Sequence, residues 1–329
     1  MINSRLSLLD RSRTRAGEAS PIALHETVAR AVRAEWLGYD RVWVAEHHSV
    51  PGIAGSAPAV LLTAIAGATT TIRIGSAGVM LPHHQPLVVA EQFATLAAFA
   101  PGRVDLGLGR SPGFTPPVRR ALRQTDHDFA ADVTELRGYL TGRSEVSLHP
   151  RPDGPIPLYV LATGAGLQVA AALGLPVIVG GPLLWSDGGA LAEYRRAFRP
   201  SPQQPEPWVA VSLDVLITDD PDLILPEAWA MARSRTEGEF PPLEPVAVVR
   251  AATKTSRQQQ YLEQTVAAAI TGPRARVESR LAELLERTGA AELVAAGSTY
   301  DRAALAASDA ALAALFDRGH PTNGSLSRP

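Results

Sequence analysis

Residues 41–48 read Arg41-Val42-Trp43-Val44-Ala45-Glu46-His47-His48. An unbroken run of four apolar residues is too short for a helix and fits a strand buried on both faces, as in a parallel sheet. The three residues after it carry chemistry. Outward from this stretch the same unit recurs. Short apolar runs bounded by Gly, Pro or Asp lie at 5–9, 72–81, 104–108, 158–162, 177–180, 208–216 and 292–296, and segments of helical period separate them. With 41–45 they make about eight βα units, the number of a (β/α)8 TIM barrel of the α/β class.

The helical segments carry start and stop signals. Ser20 before Pro21 has the form of an N-cap followed by proline at the first helical position. The segments 221–235 and 274–288 run out at Gly238 and Gly289, residues suited to the left-handed cap of a helix. Two stretches break the alternation. Residues 200–207 are proline-rich, and residues 237–260 combine Pro241, Pro242 and Pro245 with a short strand and a polar run. The second is expected to be an insertion between strands 7 and 8, where a lid over the active face and a peripheral loop both remain open readings. The expected organisation is one barrel domain over 1–318 and a polar tail over 319–329.

Composition removes whole classes of function. The chain has 329 residues, 46% hydrophobic and 19% charged, enough to bury a large core. A net charge of −2 supplies no electrostatic footprint for nucleic acid or an anionic membrane. Without cysteine there are no disulfides, thiolate metal sites or thiol nucleophiles. Lys254 is the one lysine among 31 basic residues, so Schiff-base chemistry would rest on a single polar-loop residue. No apolar run reaches the ~18 residues of a membrane span, and the N-terminus lacks the form of a secretory signal. The expected location is the cytoplasm.

In a barrel of this kind the active site lies at the C-terminal ends of the strands. That rule selects Glu46-His47-His48 after the second run and His83-His84 after the third, so four of the eight histidines crowd two neighbouring strand ends. Imidazole serves either a metal or general acid–base work near neutral pH. Neighbouring residues on an extended chain point opposite ways, so each pair offers at most one ligand to a common point. No metal is therefore expected, and acid–base chemistry is favoured. The fourth run continues through Gly107-Leu108-Gly109 to Arg110, whose guanidinium can fork onto a phosphate. The fifth opens a helix through Thr163-Gly164-Ala165-Gly166, where glycines let backbone N–H groups approach an anion at a helix N-terminus.

Four stretches, Val44-Ala45-Glu46-His47-His48, residues 74–82, residues 101–110 and Ala172-Leu173-Gly174-Leu175-Pro176, occur in an order that resembles the bacterial luciferase-like flavin monooxygenases. The likeness spans roughly residues 5–315, and its nearest flavour is the branch that tailors secondary metabolites. It implies a (β/α)8 barrel that takes reduced FMN from a separate flavin reductase, activates O2 as a flavin 4a-hydroperoxide and places one oxygen atom into a small organic substrate. By the same resemblance His47 is the catalytic histidine and Arg110 the phosphate-binding arginine. Ala77-Gly78 matches the step where a non-prolyl cis peptide lies beneath the isoalloxazine. Thr163, Gly164, Ala165 and Gly166 form the phosphate loop, with His48, His83, Phe114 and Trp185 along the substrate pocket. Thr163 is left as the loop's one hydroxyl, which predicts loosely held FMN and a colourless protein. The resemblance also implies a homodimer packed through helices near 58–69 and 86–98. A deazaflavin-dependent hydride-transfer enzyme and a non-catalytic flavin-binding subunit remain the rival expectations.

Overall fold

The computed structural model describes residues 1–113, 115–123 and 128–316. Eight of its strands close a parallel barrel: β1 (Arg5–Asp10), β2 (Arg41–Val44), β3 (Arg73–Met80), β4 (Val104–Gly109), β5 (Leu158–Ala162), β6 (Val177–Gly180), β7 (Val209–Leu213) and β10 (Glu292–Ala295), the last pairing back onto β1. The expected (β/α)8 architecture is what the chain builds. The remaining strands, β8 (Val215–Ile217) and β9 (Ile270–Gly272), form a separate two-stranded parallel sheet.

The run expected as one strand over 208–216 is thus two. Asp214 turns its carboxylate toward Arg11, 2.6 Å away, and the chain beyond it leaves the barrel to pair with β9. An apolar run shows that a segment is buried, but one acidic residue inside it decides where its pairing partner changes.

The insertion between β7 and β10 is longer than 237–260 and is mostly helical. Helix Leu225–Glu237 stops at Gly238 in the left-handed conformation and packs against helix Ser256–Ala268. The short strand expected inside 237–260 is instead the helix Val246–Ala251, entered from Pro245. Its Val249 buries against Trp229 and Leu262, a case of tertiary packing overriding the strand preference of a valine-rich run. The polar run after it starts the next helix through a capping box, in which Thr255 accepts from the Gln258 amide and the Gln258 side chain accepts from the Thr255 amide. Ser20 precedes helix Pro21–Trp36 as expected, although its hydroxyl makes no capping bond.

The main core fills the space between barrel and helices, and a smaller cluster of Trp43, Ala77, Tyr159, Ile178, Ala210 and Val294 fills the barrel itself. Gly75 makes room there, because a Cβ on it would lie 2.4 Å from the Trp43 ring. Below this layer, at the N-terminal ends of the strands, Arg41 reaches Asp105 at 2.7 Å and Glu292 at 2.8 Å. The open end of the barrel is therefore the other one.

Candidate active site

The ends of β1 to β7 enclose a cavity of about 530 Å³. His47 enters it from β2, Ala77 and Gly78 from β3, Arg110 from the turn after β4, and Thr163 to Gly166 from the turn after β5. Every residue assigned from sequence to catalysis or cofactor binding lines this one hollow. The Ala77-Gly78 peptide is cis, and the pairing of β3 with β4 shifts register between Ala77 and Val79. A Cβ on Gly164 would meet nothing within 4 Å, so the approach to the loop is clear, and helix Gly166–Leu173 starts directly beyond it.

The two histidine pairs divide as their alternation requires. His47 faces the cavity, whereas His48 turns away and donates from Nε2 to Glu46 Oε1 at 2.6 Å. His84 donates to the same oxygen at 2.7 Å, while the other carboxylate oxygen of Glu46 accepts from the Met80 amide at 2.8 Å. Burial alone would raise the Glu46 carboxyl, but the bonds from His48, His84 and Met80 prevail and hold it at about 2. This carboxylate ties the end of β2 to the end of β3 and so fixes the backbone that carries His47.

The metal question takes a new form here. Glu46, His48 and His84 bring a carboxylate oxygen and two imidazole nitrogens within 4.8 Å of one another, the donor types of a divalent-ion site. Each histidine pair supplies one ligand, as its alternation requires, and the further ligand that the sequence pattern does not single out is Glu46, which both rings bond.

Burial, with the positive charges of Arg11 and Arg13 beyond it, pushes the His47 imidazole down to about 4. Near neutral pH it is an uncharged ring, able to accept or donate a hydrogen bond and to take up a proton as it forms. Arg11 and Arg13 leave the end of β1 and meet Glu227 and Asp214. Arg13 Nε lies 2.9 Å from Glu227, and Arg11 Nη2 lies 2.6 Å from Asp214 and 3.3 Å from Glu227.

Three residues assigned to the substrate pocket do not line this cavity. His48 is held by Glu46, His83 lies against the Ser111 carbonyl at 3.1 Å, and Trp185 borders a neighbouring hollow. Phe114 lies outside the described residues. The sequence reading also missed Arg11, Asp214 and the role of Glu46. The signal for Arg11 was present, since charged residues follow the first strand at the same barrel end that drew attention to His47. Asp214 was hidden inside a run taken as one strand.

The chain matches the description of the luciferase-like monooxygenases over residues 4–321. It is 35% identical over 318 residues to a luciferase-like monooxygenase of Escherichia coli strain K12, covering 91% of this chain and 92% of that one. It is 39% identical over 212 residues to an N-acetyl-S-alkylcysteine monooxygenase of Bacillus subtilis strain 168, covering 59% of this chain and 61% of that one. The crystal structure of apo-MsnO8 superposes with a TM-score of 0.84 at 28% identity, covering 95% of this chain and 97% of the other. The chain belongs to the luciferase-like monooxygenase family and is a flavin-dependent monooxygenase.

Proposed function

We propose that this chain is the oxygenase of a two-component system, using FMNH2 made by a separate flavin reductase in the cytoplasm to place one atom of O2 into a small organic molecule of secondary metabolism. The other oxygen atom leaves as water, and FMNH2 gives up the two electrons and two protons that balance it. The observation that carries this reading is the convergence of His47, the cis Ala77-Gly78 peptide, Arg110 and the Thr163 to Gly166 turn on one cavity. Its volume of about 530 Å³ lies within the ~300–1,000 Å³ common for cofactor sites.

The residues fit an FMN. Arg110 and the amides of Thr163 to Gly166 would hold the phosphate, with the N-terminus of helix Gly166–Leu173 adding its dipole. The flat, side-chain-poor edge at Ala77 and Gly78 would support the ring. Reduced FMN bound there would supply the electrons that activate dioxygen. The uncharged His47 ring, fixed through Glu46, would face that chemistry and move a proton. The name of the Bacillus subtilis relative puts N-acylated thioethers first among substrates to assay. Helices Pro58–Ala68 and Pro86–Phe99 leave Val60, Val88 and Phe99 exposed, which suits a homodimer through that side.

The test titrates the protein anaerobically with reduced FMN and with a reduced deazaflavin, then admits isotope-labelled dioxygen with an N-acetylated thioether. Reduced FMN should bind and be removable by dialysis, the deazaflavin should not bind, and label should enter the product. Arg110→Ala should weaken FMNH2 binding about tenfold or more, the worth of one charge-assisted hydrogen bond of about 1.5–3 kcal/mol. His47→Ala should bind FMNH2 normally and lose about 10²–10⁴-fold in oxygen transfer. Binding of the deazaflavin in place of FMN would overturn the reading.

A further inference from the structure

Two hollows of similar size open side by side at the mouth of the barrel among the described residues. Beside the cavity that contains His47 lies a second one of about 580 Å³, and both are bordered by Leu9 and Ser212. The first is formed by the ends of β1 to β7. The second is floored by the ends of β1, β7 and β10 and walled by the insertion, through Met231 on helix Leu225–Glu237 and Thr265 on helix Ser256–Ala268. If the first holds FMN, as proposed above, the second is the space left beside it at the barrel mouth.

We propose that this second lobe is the substrate pocket and that Arg11 and Asp214 on its floor recognise an amide in the substrate. Both side chains line the lobe and keep 17% and 21% of their surface exposed. Arg11 Nη2 is engaged with Asp214 Oδ1 at 2.6 Å and the Ala296 carbonyl at 3.1 Å. Among the described residues, Nη1 and Nε of Arg11 donate to nothing and Oδ2 of Asp214 accepts from nothing. The pair thus offers a free donor next to a free acceptor. Arg235 in the wall of the lobe supplies a positive charge for a carboxylate elsewhere in the substrate, whereas Arg11 and Arg13 face Asp214 and Glu227 at the floor. A secondary amide matches it: its carbonyl accepts from Arg11 and its N–H donates to Asp214. The rest of the substrate meets Leu9, Leu184, Leu213 and Met231, an apolar wall. A ligand of the same shape without the amide would cover a donor and an acceptor and leave both unpaired, the situation in which sites discriminate most strongly.

This assignment rests on the flavin reading only in giving the first cavity to FMN, and the test separates the two. Isothermal titration with N-acetyl-L-phenylalanine and with 3-phenylpropanoate, which lacks only the acetamido group, is carried out anaerobically with and without saturating reduced FMN, and binding of reduced FMN is titrated separately. The acetamido compound should bind at least about tenfold more tightly. Met231→Trp, and independently Thr265→Trp on the facing helix, should fill the lobe and abolish that binding while FMN affinity stays within about twofold of the parent protein. Equal affinity for the two compounds, binding of neither, or tight binding that survives both tryptophan variants would overturn the proposal. Failure of reduced FMN to bind the parent protein under anaerobic conditions would strike the flavin reading, and the acetamido preference would still be read from the titrations without it.

Discussion

The barrel carries an ionic cluster at each end, and the two have the same charges but different completeness. At the closed end Arg41 and Arg73 face Asp105 and Glu292, and every carboxylate oxygen of that pair is taken. Arg41 bonds Asp105 Oδ2 and both oxygens of Glu292, Arg73 bonds both oxygens of Asp105, and Ser7 donates to Glu292 at 2.5 Å. At the open end Arg11 and Arg13 face Asp214 and Glu227, and here, among the described residues, Arg13 Nη2 lacks a hydrogen-bond partner and Asp214 Oδ2 accepts no hydrogen bond. A fully paired network plugs a barrel. One with spare donors and acceptors beside a cavity can bind something.

The largest effect should come from breaking the plug. Asp105 and Glu292 are fully buried, and Arg41→Ala would leave Asp105 with Arg73 and Glu292 with the Ser7 hydroxyl. Removing one partner of a buried ion pair costs about 3–5 kcal/mol, so urea unfolding should show a loss of that size. A loss under about 1 kcal/mol would mean that water enters the closed end freely and that the two clusters do not differ as described. Arg11→Met should cost less than half as much, because Asp214 keeps some exposure and burial already raises its carboxyl toward the neutral form. Its main effect should fall on binding in the second lobe, read as loss of the acetamido preference. Equal destabilisation by the two substitutions would erase the contrast.

The same contrast explains what the sequence could and could not disclose. Strands buried on both faces must be apolar, so the eight runs were legible, and so were the helix ends at Gly238 and Gly289, which adopt the left-handed conformation there. Strand ends carry the site, so His47, Arg110 and the Thr163 to Gly166 turn could be placed. Which of two neighbouring histidines faces inward depends on register, and a pattern of period two does not choose between the alternatives. His48 and His83 were therefore assigned to a pocket that they do not line. Arg11 and Asp214 are 203 positions apart, and nothing local to either residue announces the other. The helix Val246–Ala251 was missed because a short valine-rich run acquires its conformation from Trp229 and Leu262, far from it in sequence.

The smallest effect tests the open cluster by its field. Burial, and after it the charges of Arg11 and Arg13, hold the His47 imidazole in the folded chain at about 4, below its ordinary 6.5. Nitrogen-edited NMR of the histidine rings should show one ring with that low midpoint, and Arg11→Met should move it upward. The sign for stability follows. With its folded pKa depressed, His47 takes up no proton while the unfolded chain does, so it lowers stability progressively as pH falls from about 6.5 to about 4 and no further below that. His47→Gln should flatten the dependence of the urea midpoint on pH across that window. Glu46, held at about 2, acts with the same sign only below about 4.5, where the unfolded chain protonates its carboxylate first. A His47 ring that titrates near 6.5 in the folded protein would mean that neither burial nor the cations of the open cluster act on it. The imidazole would then be partly charged near neutral pH, and the oxygen-transfer step should acquire a pH dependence centred there.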